Sequence, residues 1–404
     1  MNSYFRIFST WLVIFLVGLK VYSVSQGRIW VSENLEKSLN WFPNYSEGLL
    51  NLNDRILEES QSENSAEKIK QNSIQALKSA PLTYRPFLHL AEANVFRNEN
   101  DDAQKLFLAA KARNSRNRRT LRALSSLSIK DQKFDEAVQN LDILLRLKGR
   151  EQDFKSYQQD LTSLSSNPQA LKEIDHLLSQ RPPWGARYLN NQMALMTAEN
   201  YLNIGHSLTI YTQKIDEKKS DKNLNAHYLN KLIRMNKFEE AYQFWEGLFG
   251  SEKPNTLLYN TSFEKRTALP PYNWSEIDRL KYFSEIDQGG GLYASFSDNK
   301  TRTLTEQIVR LAPGSVYRMA VDAEWSYRQR QGMFFWVITC LQNGSVISGV
   351  NLDDQAKKNS GGEHTFQVPV DGCSHQNIRL VAKSGQYSKR IWSRTNSVNL
   401  ERVE

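Results

Sequence analysis

The sequence predicts a multidomain α + β chain with three parts: an N-terminal transmembrane helix, an α-solenoid of helix–turn–helix repeats and a C-terminal antiparallel β-sandwich. Three observations predict these parts. An apolar stretch lies within residues 1–27, a pattern of small and apolar residues recurs after 34 residues within 28–253, and helical spacing of apolar residues stops within 254–404. The length of 404 residues allows two or three folding units.

The first part carries a targeting segment, in which Arg6 precedes an apolar stretch from Ile7 to Val21. Its most apolar core, residues 11–19, is shorter than the ~20 residues that span a bilayer, although Lys20 can reach the interface. Two interpretations stay open: a signal anchor, or a signal peptide cleaved before Gln26. We favour the anchor, which would hold the chain on a membrane with its body outside the cytoplasm. The opposite orientation stays open, because Lys20 and Arg28 on the far side of the segment oppose a simple positive-inside assignment.

The second part is defined by its repeat. Equivalent positions lie 34 residues apart: Ala103 with Ala137, Phe107 with Leu141, and Ala110 with Leu144. The segment Lys133-Phe-Asp-Glu-Ala137 also returns as Lys237-Phe-Glu-Glu-Ala241. A period of this length is typical of helix–turn–helix arrays, which present binding surfaces more often than active sites.

Apolar spacing places the helices of this part. Helical pairs are predicted over 85–112 and 119–147, with tight turns at 97–102 and 130–134. A long helix is predicted over 187–203, and a last unit closes near residue 249. Residues 28–253 are therefore predicted to form one helical repeat domain.

In the third part, apolar and polar residues alternate as they do in a half-buried β-strand. Val316 to Trp325 places Tyr317, Met319, Val321, Ala323 and Trp325 on one face. Further strands are predicted at 333–341, 366–370 and 378–382, and Leu292 to Ser297 forms another after three glycines. Several short strands without helices between them predict a β-sandwich over 254–404.

Two cysteines, Cys340 and Cys373, lie inside or beside these strands. In an exported all-β domain, two thiols are expected to form one disulfide. The alternative is a pair of unrelated buried thiols in a cytosolic protein.

The helical part resembles the tetratricopeptide-repeat family over residues 40–250, most closely at 66–147 and 226–249. Pro43 and Pro81 stand where that family places its terminating proline, whereas Phe87 and Leu121 replace its tryptophan. The resemblance implies stacked helical pairs whose surface binds protein partners.

The third part resembles the jelly-roll domains of carbohydrate-binding modules. The resemblance rests on Tyr259-Asn-Thr-Ser-Phe-Glu264, on Tyr272-Asn-Trp274 and on the two strand cysteines. It does not extend to the calcium site of those modules, because residues 396–400 lack their paired carboxylates. The predicted order is an anchor, then repeats that include Arg181-Pro-Pro-Trp184, then a sandwich. This order is similar to that of bacterial envelope proteins in exopolysaccharide synthesis and export. The resemblance implies a single-pass protein of the inner membrane with most of the chain in the periplasm.

Residues that carry chemistry are sparse, and we expect no catalytic, cofactor or metal site. None of the six histidines has a second ligand at metal spacing. Gly289-Gly-Gly291 lacks the lysine and helix of a phosphate loop, and Cys340 lies within a strand. Asp322 with Glu324 is the one local carboxylate pair that a glycan-cleaving enzyme could use.

The charge of the whole chain suggests that it works in anionic surroundings, since its net charge is +8 and its pI is about 9.2. The densest basic run lies in residues 111–122, and a solvated helix–loop–helix edge explains it. A groove that binds single-stranded nucleic acid needs aromatic residues between its basic ones, and this run contains none. Nucleic acid is therefore not an expected partner.

Trp325, Tyr327 and Trp392 are the candidate glycan-binding residues, because flat aromatic rings stack on sugar rings. The alternative is that they belong to the sandwich core, as we expect for Trp336. The sequence thus favours a non-enzymatic envelope scaffold whose repeats bind proteins and whose sandwich binds polysaccharide. The alternative function is a purely structural assembly factor of a membrane complex.

Overall fold

The computed structural model describes residues 15, 17, 21–22, 35–59, 62–147, 149–212, 219–248, 257–264, 269–287, 289–325, 332–351, 362–384 and 390–403. They divide into two compact units, one within Met1–Gly185 and one within Ala186–Glu404. The predicted helical array and the predicted antiparallel β-sandwich are both present. The described helices are α1 (Leu35–Trp41), α2 (Ser46–Glu59), α3 (Glu63–Ser79), α4 (Arg85–Phe96), α5 (Asn100–Arg113), α6 (Arg118–Lys130), α7 (Phe134–Arg146), α8 (Glu151–Leu164), α9 (Pro168–Ser179), α10 (Gly185–Ala194), α11 (Tyr201–Thr212), α12 (Lys219–Arg234) and α13 (Phe238–Gly247).

The predicted N-terminal anchor lies mostly outside the described residues. Among the residues that are described, no helix is both long and apolar enough to cross a bilayer.

The helical pairs of the first unit repeat the same turn. After α4 and after α6, Asn98 and Gln132 adopt a left-handed conformation with φ of 60°. In each case the next amide donates back over five residues, from Glu99 to Asn94 (2.9 Å) and from Lys133 to Ser128 (2.8 Å). This closure satisfies carbonyls that the helix end leaves free. The 34-residue repeat is therefore confirmed in backbone geometry.

Packing follows the same period. Ala103 and Ala137 are completely buried in α5 and α7, where their small side chains let the helices of each pair approach closely. Phe107 and Leu141, four residues further along, are also buried. The start of α6 is set by an N-cap residue: the side chain of Asn117 accepts a hydrogen bond from the amide of Thr120.

A partly buried polar network joins helices of three successive pairs. His89, completely buried, donates from Nε2 to Asp54 Oδ1 (3.1 Å), and its Nδ1 accepts from Asn53 Nδ2 (3.3 Å). Arg85 and Arg119 also donate to Asp54, and Arg119 pairs with Glu92 (2.7 Å). Burial acts to raise the pKa of Asp54, but the hydrogen bonds from His89 and Arg119 hold it well below its ordinary value.

The second unit begins with four helices, and here one prediction was wrong. The long helix expected over 187–203 is two helices, α10 and α11. Asn200 and Thr197 cause the break, because their side chains accept from the amides of Thr197 (2.7 Å) and Glu199 (3.3 Å). Such side-chain bonds compete with helical ones. The turn after α12, with Asn236 at φ 60°, repeats the geometry of the first unit.

Two antiparallel sheets form the sandwich. Its strands are β1 (Ile277–Arg279), β2 (Tyr282–Ile286), β3 (Leu292–Phe296), β4 (Arg302–Val309), β5 (Val316–Trp325), β6 (Gly332–Cys340), β7 (Val346–Asn351), β8 (Gly362–Gln367), β9 (Gln376–Ser384) and β10 (Ile391–Arg402). One sheet has the order β1-β2-β3-β10-β5-β8, and the other has the order β4-β9-β6-β7. Their inner faces enclose one core that contains Trp274 and Trp336, with ring centroids 5.5 Å apart.

The predicted strands at 316–325, 333–341 and 378–382 are confirmed as β5, β6 and β9. The strand predicted over 366–370 instead ends at Gln367. Pro369 cannot donate to a ladder, which explains the early end. Cys340 and Cys373 lie at disulfide distance, with their Cα atoms 5.3 Å apart, and both are buried.

Candidate binding surface of the sandwich

The outer face of the six-stranded sheet carries a row of aromatic side chains. Along β10, Ile391, Ser393 and Thr395 are buried, whereas Trp392 and Arg394 between them face outward. Trp392 is 37 % exposed, which makes it the most exposed large aromatic side chain in the described part of the sandwich.

Strand register brings two further rings beside Trp392. Tyr293 on β3 lies next to it, with centroids 6.3 Å apart and planes within 22° of parallel. Phe283 on β2 follows, 5.8 Å from Tyr293. Ser295, which pairs with both Phe283 and Trp392, is only 2 % exposed although it faces outward. Phe283, Tyr293 and Trp392 thus form a continuous surface, called the aromatic patch below.

Charged side chains border the aromatic patch. Four residues on adjacent strands form one row across the sheet: Glu285, Tyr293, Arg394 and Glu324. Each is directly opposite the next in the antiparallel register. Arg394 lies 3.4 Å from a carboxylate oxygen of Asp287. It also donates to the carbonyl of Gly290 (3.4 Å). The β2–β3 turn therefore holds the guanidinium next to the patch.

Of the three candidate residues from the sequence, the two that the structure describes, Trp325 and Trp392, do not come together. Trp325 pairs with the inward-facing Ser393 and packs against the core, on the opposite side of the sheet from Trp392. Tyr327 lies outside the described residues. Trp336 is completely buried, as expected for a core residue.

Phe283 and Tyr293 were missed by sequence reasoning. Strand β3 was expected, and its alternation of Leu292 and Ala294 with Tyr293 marks the tyrosine as outward-facing. Strand β2 was not expected, because Tyr282 and Phe283 are adjacent and hide the alternation. The pairing of β3 with β10 joins segments about a hundred residues apart, and no local pattern predicts it.

Asp322 and Glu324, the carboxylates considered for an enzyme, both face outward on β5 and are exposed. Asp322 accepts from Asn396 Nδ2 (3.2 Å). Within the described ranges, no group of three or more His, Cys, Asp or Glu side chains is arranged to hold a metal ion.

A second aromatic cluster lies where α13 packs on the sandwich. Trp245 contacts Tyr272 with centroids 5.3 Å apart, and Tyr242 contacts Tyr272 (5.7 Å) and His375 (6.4 Å). His375 is buried, and its Nε2 lies 3.9 Å from Glu239 Oε2. Burial lowers the pKa of His375 below its ordinary value, and the Glu239 carboxylate opposes this shift only in part.

Several side chains of the basic run at residues 111–122 contact neighbouring helices, whereas Arg116 and Arg122 are exposed. Lys111 donates to Asn140 (2.7 Å), Arg118 pairs with Asp153 (3.1 Å), and Arg113 lies over the ring of Phe87. These contacts agree with the interpretation of the run as an edge between helices.

No protein-family model matches the chain, and no curated protein matches it. Solved structures are similar to parts of it. A CBM4 structure covers 36% of this chain and 99% of its own, at 17% identity and a TM-score of 0.27. Pseudomonas aeruginosa pilF covers 52% of this chain and 93% of its own, at 15% identity and a TM-score of 0.28. The Naa15/Naa10 structure with HypK-THB covers 60% of this chain and 38% of its own, at 16% identity and a TM-score of 0.30. With TM-scores below 0.5, these likenesses establish neither a shared fold nor a shared function.

Proposed function

We propose that this chain is a non-enzymatic scaffold protein whose sandwich binds polysaccharide through the aromatic patch. The observation that carries the proposal is the position of Trp392. It stays exposed on a sheet whose other large aromatic side chains are buried or half-buried, and Tyr293 extends its surface.

The chemistry of the patch suits a sugar chain. Indole and phenol rings offer flat apolar faces to the CH groups of a sugar ring, and each has one polar group at its edge. Arg394 and Glu285, directly opposite Tyr293 on either side, supply a donor and an acceptor for sugar hydroxyls. Apolar faces with a few convergent polar groups are the usual composition of a ligand site.

We further propose that the chain acts in exopolysaccharide synthesis or export, and that its helical repeats bind other proteins of that system. The apolar stretch at residues 7–21 supports a tether to the inner membrane with most of the chain in the periplasm. The cysteine pair supports an oxidising compartment, because disulfides are rare in the cytosol.

Native gel electrophoresis of the intact chain in gels containing a panel of bacterial polysaccharides tests the proposal. At least one polysaccharide should retard the wild type, and Trp392→Ala should abolish the retardation without changing the melting temperature. Val370→Ala, an exposed apolar residue in the β8–β9 connection, is the control and should be retarded like the wild type. Equal retardation of Trp392→Ala and wild type would contradict the assigned site.

The second candidate function is a structural assembly factor that binds no glycan. The mutual packing of the three patch rings favours it, because such a patch also suits the core of a protein interface. Lack of retardation by every polysaccharide, together with loss of a co-purifying protein partner in Trp392→Ala, would support this function.

A further inference from the structure

We infer that the aromatic patch selects polysaccharides that lack acidic groups and discriminates against uronate-containing or sulfated chains. This inference rests on the proposed function, since it names the class of glycan that the same site would take. It follows from the charges that strand register places around the three rings.

Each ring of the patch has a carboxylate near it. Asp278 on β1 is directly opposite Phe283. Glu285 is directly opposite Tyr293, at the separation of about 5 Å that cross-strand neighbours have between Cβ atoms. Glu324 is opposite Arg394, which is two residues along β10 from Trp392.

Among the described residues, Arg394 is the cation that strand register places within this border, and it already has a carboxylate partner. Arg394 is held by Asp287 on one side and faces Glu324 on the other. Arg390, exposed just before β10, is the remaining described cation close to the patch. Lys281 and Arg302 lie near the start of β2 and interact electrostatically with Asp298, which forms an ion pair with Arg302 (2.6 Å). Within the part of the chain that the structure describes, carboxylates therefore outnumber cations around the rings.

A sugar stacked on the patch would bring its substituents within a few ångströms of these carboxylates. The Debye length at physiological salt is about 8 Å, so the interaction is not fully screened at that distance. A carboxylate or sulfate on the glycan would be repelled, and like charges placed against an unwanted partner are a common source of specificity. Hydroxyl groups, in contrast, can donate to Glu285 and Glu324.

This local charge opposes the charge of the whole chain. The net charge of +8 would draw anionic polymers to the protein. The basic residues of the run 111–122 that contribute to it lie in the first unit, where Lys111 and Arg118 contact neighbouring helices. Net charge alone therefore points to the wrong class of ligand for this surface.

The test compares neutral polysaccharides with their own carboxymethylated derivatives, so that each pair shares one backbone. The intact chain is run in native gels containing dextran, a galactomannan or hydroxyethyl cellulose, and in gels with the matched carboxymethyl polymers. Dissociation constants are then measured for each pair at about 0.02 M and 0.3 M salt, below and above physiological screening. The variants are the double substitution Glu285→Gln with Glu324→Gln, and the control Glu363→Gln on β8 of the same sheet.

A neutral polymer should bind about tenfold or more tightly than its carboxymethyl partner at low salt, and the difference should shrink at high salt. The double variant should narrow this difference, and Glu363→Gln should not. Equal or tighter binding of the carboxymethyl polymer, abolished by Trp392→Ala, would overturn this inference and leave glycan binding intact. Failure of every neutral and acidic polymer to bind would overturn the proposed function, and the inference with it.

Discussion

Tyr272, in the segment that leads into the sandwich, donates a hydrogen bond from its hydroxyl to the backbone carbonyl of Phe238 at the start of α13 (3.2 Å). Both residues are buried, and Tyr242 and Trp245 of the same helix pack on the tyrosine ring. The last helix and the sandwich therefore share a core inside the second unit. The domain boundary predicted at residue 254 would cut the chain beside this shared core.

Tyr272→Phe should lower the free energy of unfolding of the second unit by about 1 kcal/mol, because one buried hydrogen bond is lost and the ring is kept. Chemical denaturation followed by tryptophan fluorescence measures the change. Tyr293→Phe on the outer face is the control and should change stability by less than about 0.5 kcal/mol. Equal effects of the two substitutions would show that the contact with α13 does not stabilise the fold.

Acidification should weaken the same contact through His375. Its pKa is lowered in the folded chain, so the unfolded chain binds more protons as the pH falls through the ordinary histidine value of 6.5. The stability that the neutral ring provides is therefore present above that pH and lost below it. The charged groups that face the ring are Glu239, which favours protonation, and Arg310, which opposes it.

The midpoint of chemical denaturation, measured between about pH 5 and 8, should fall more steeply with acid in the wild type than in His375→Gln. Glutamine keeps a polar side chain but does not titrate in this range. Parallel pH profiles for the two proteins would rule out the histidine as the source of the pH dependence.

Loss of the cysteine pair should destabilise the sandwich. A link between positions separated by 33 residues contributes ~3–4 kcal/mol on the chain-entropy estimate. Cys340→Ser with Cys373→Ser should therefore lower the melting temperature, and reductant should lower that of the wild type but not of the double variant. An unchanged melting temperature in both experiments would mean that the pair does not stabilise the fold.

The polar network of the first unit gives a separate test. Asp54→Asn should cost about 2 kcal/mol, because charged hydrogen bonds from two arginines are weakened and the completely buried His89 loses its carboxylate partner. Asp102→Asn removes an ion pair with Lys105 in which both side chains are exposed, so it should change the stability far less than Asp54→Asn does. Thermal unfolding followed by circular dichroism compares them, and equal losses would contradict the importance assigned to the network.

Much of the fold could be predicted because it is encoded locally. The 34-residue spacing of Ala103 and Ala137 depends only on helix packing within each pair, and the alternation along 316–325 gave β5 its full length. That alternation also placed Trp325 on the core face, which argues against its use as an exposed platform. The break at Thr197 was not predictable from apolar spacing, because it depends on side-chain hydrogen bonds to the backbone.

The candidate site could be predicted only in part. Trp392 was proposed from its residue type and the neighbouring arginines, and it is the exposed member of the patch. Its partners Tyr293 and Phe283 come from strands about a hundred residues earlier, through antiparallel register. Long-range pairing of this kind is set by the packing of the whole sheet, so no sequence window contains it.

Titration of the intact chain with a polysaccharide that retards it, followed by the indole N–H signals of its tryptophans in NMR spectra, is the most direct test of the central claim. Comparison with Trp392→Phe assigns the signal of Trp392. That signal should shift in proportion to bound polysaccharide, and those of the buried Trp274 and Trp336 should stay in place. Saturable binding that leaves the Trp392 signal unmoved would contradict the assignment of the aromatic patch as the binding surface.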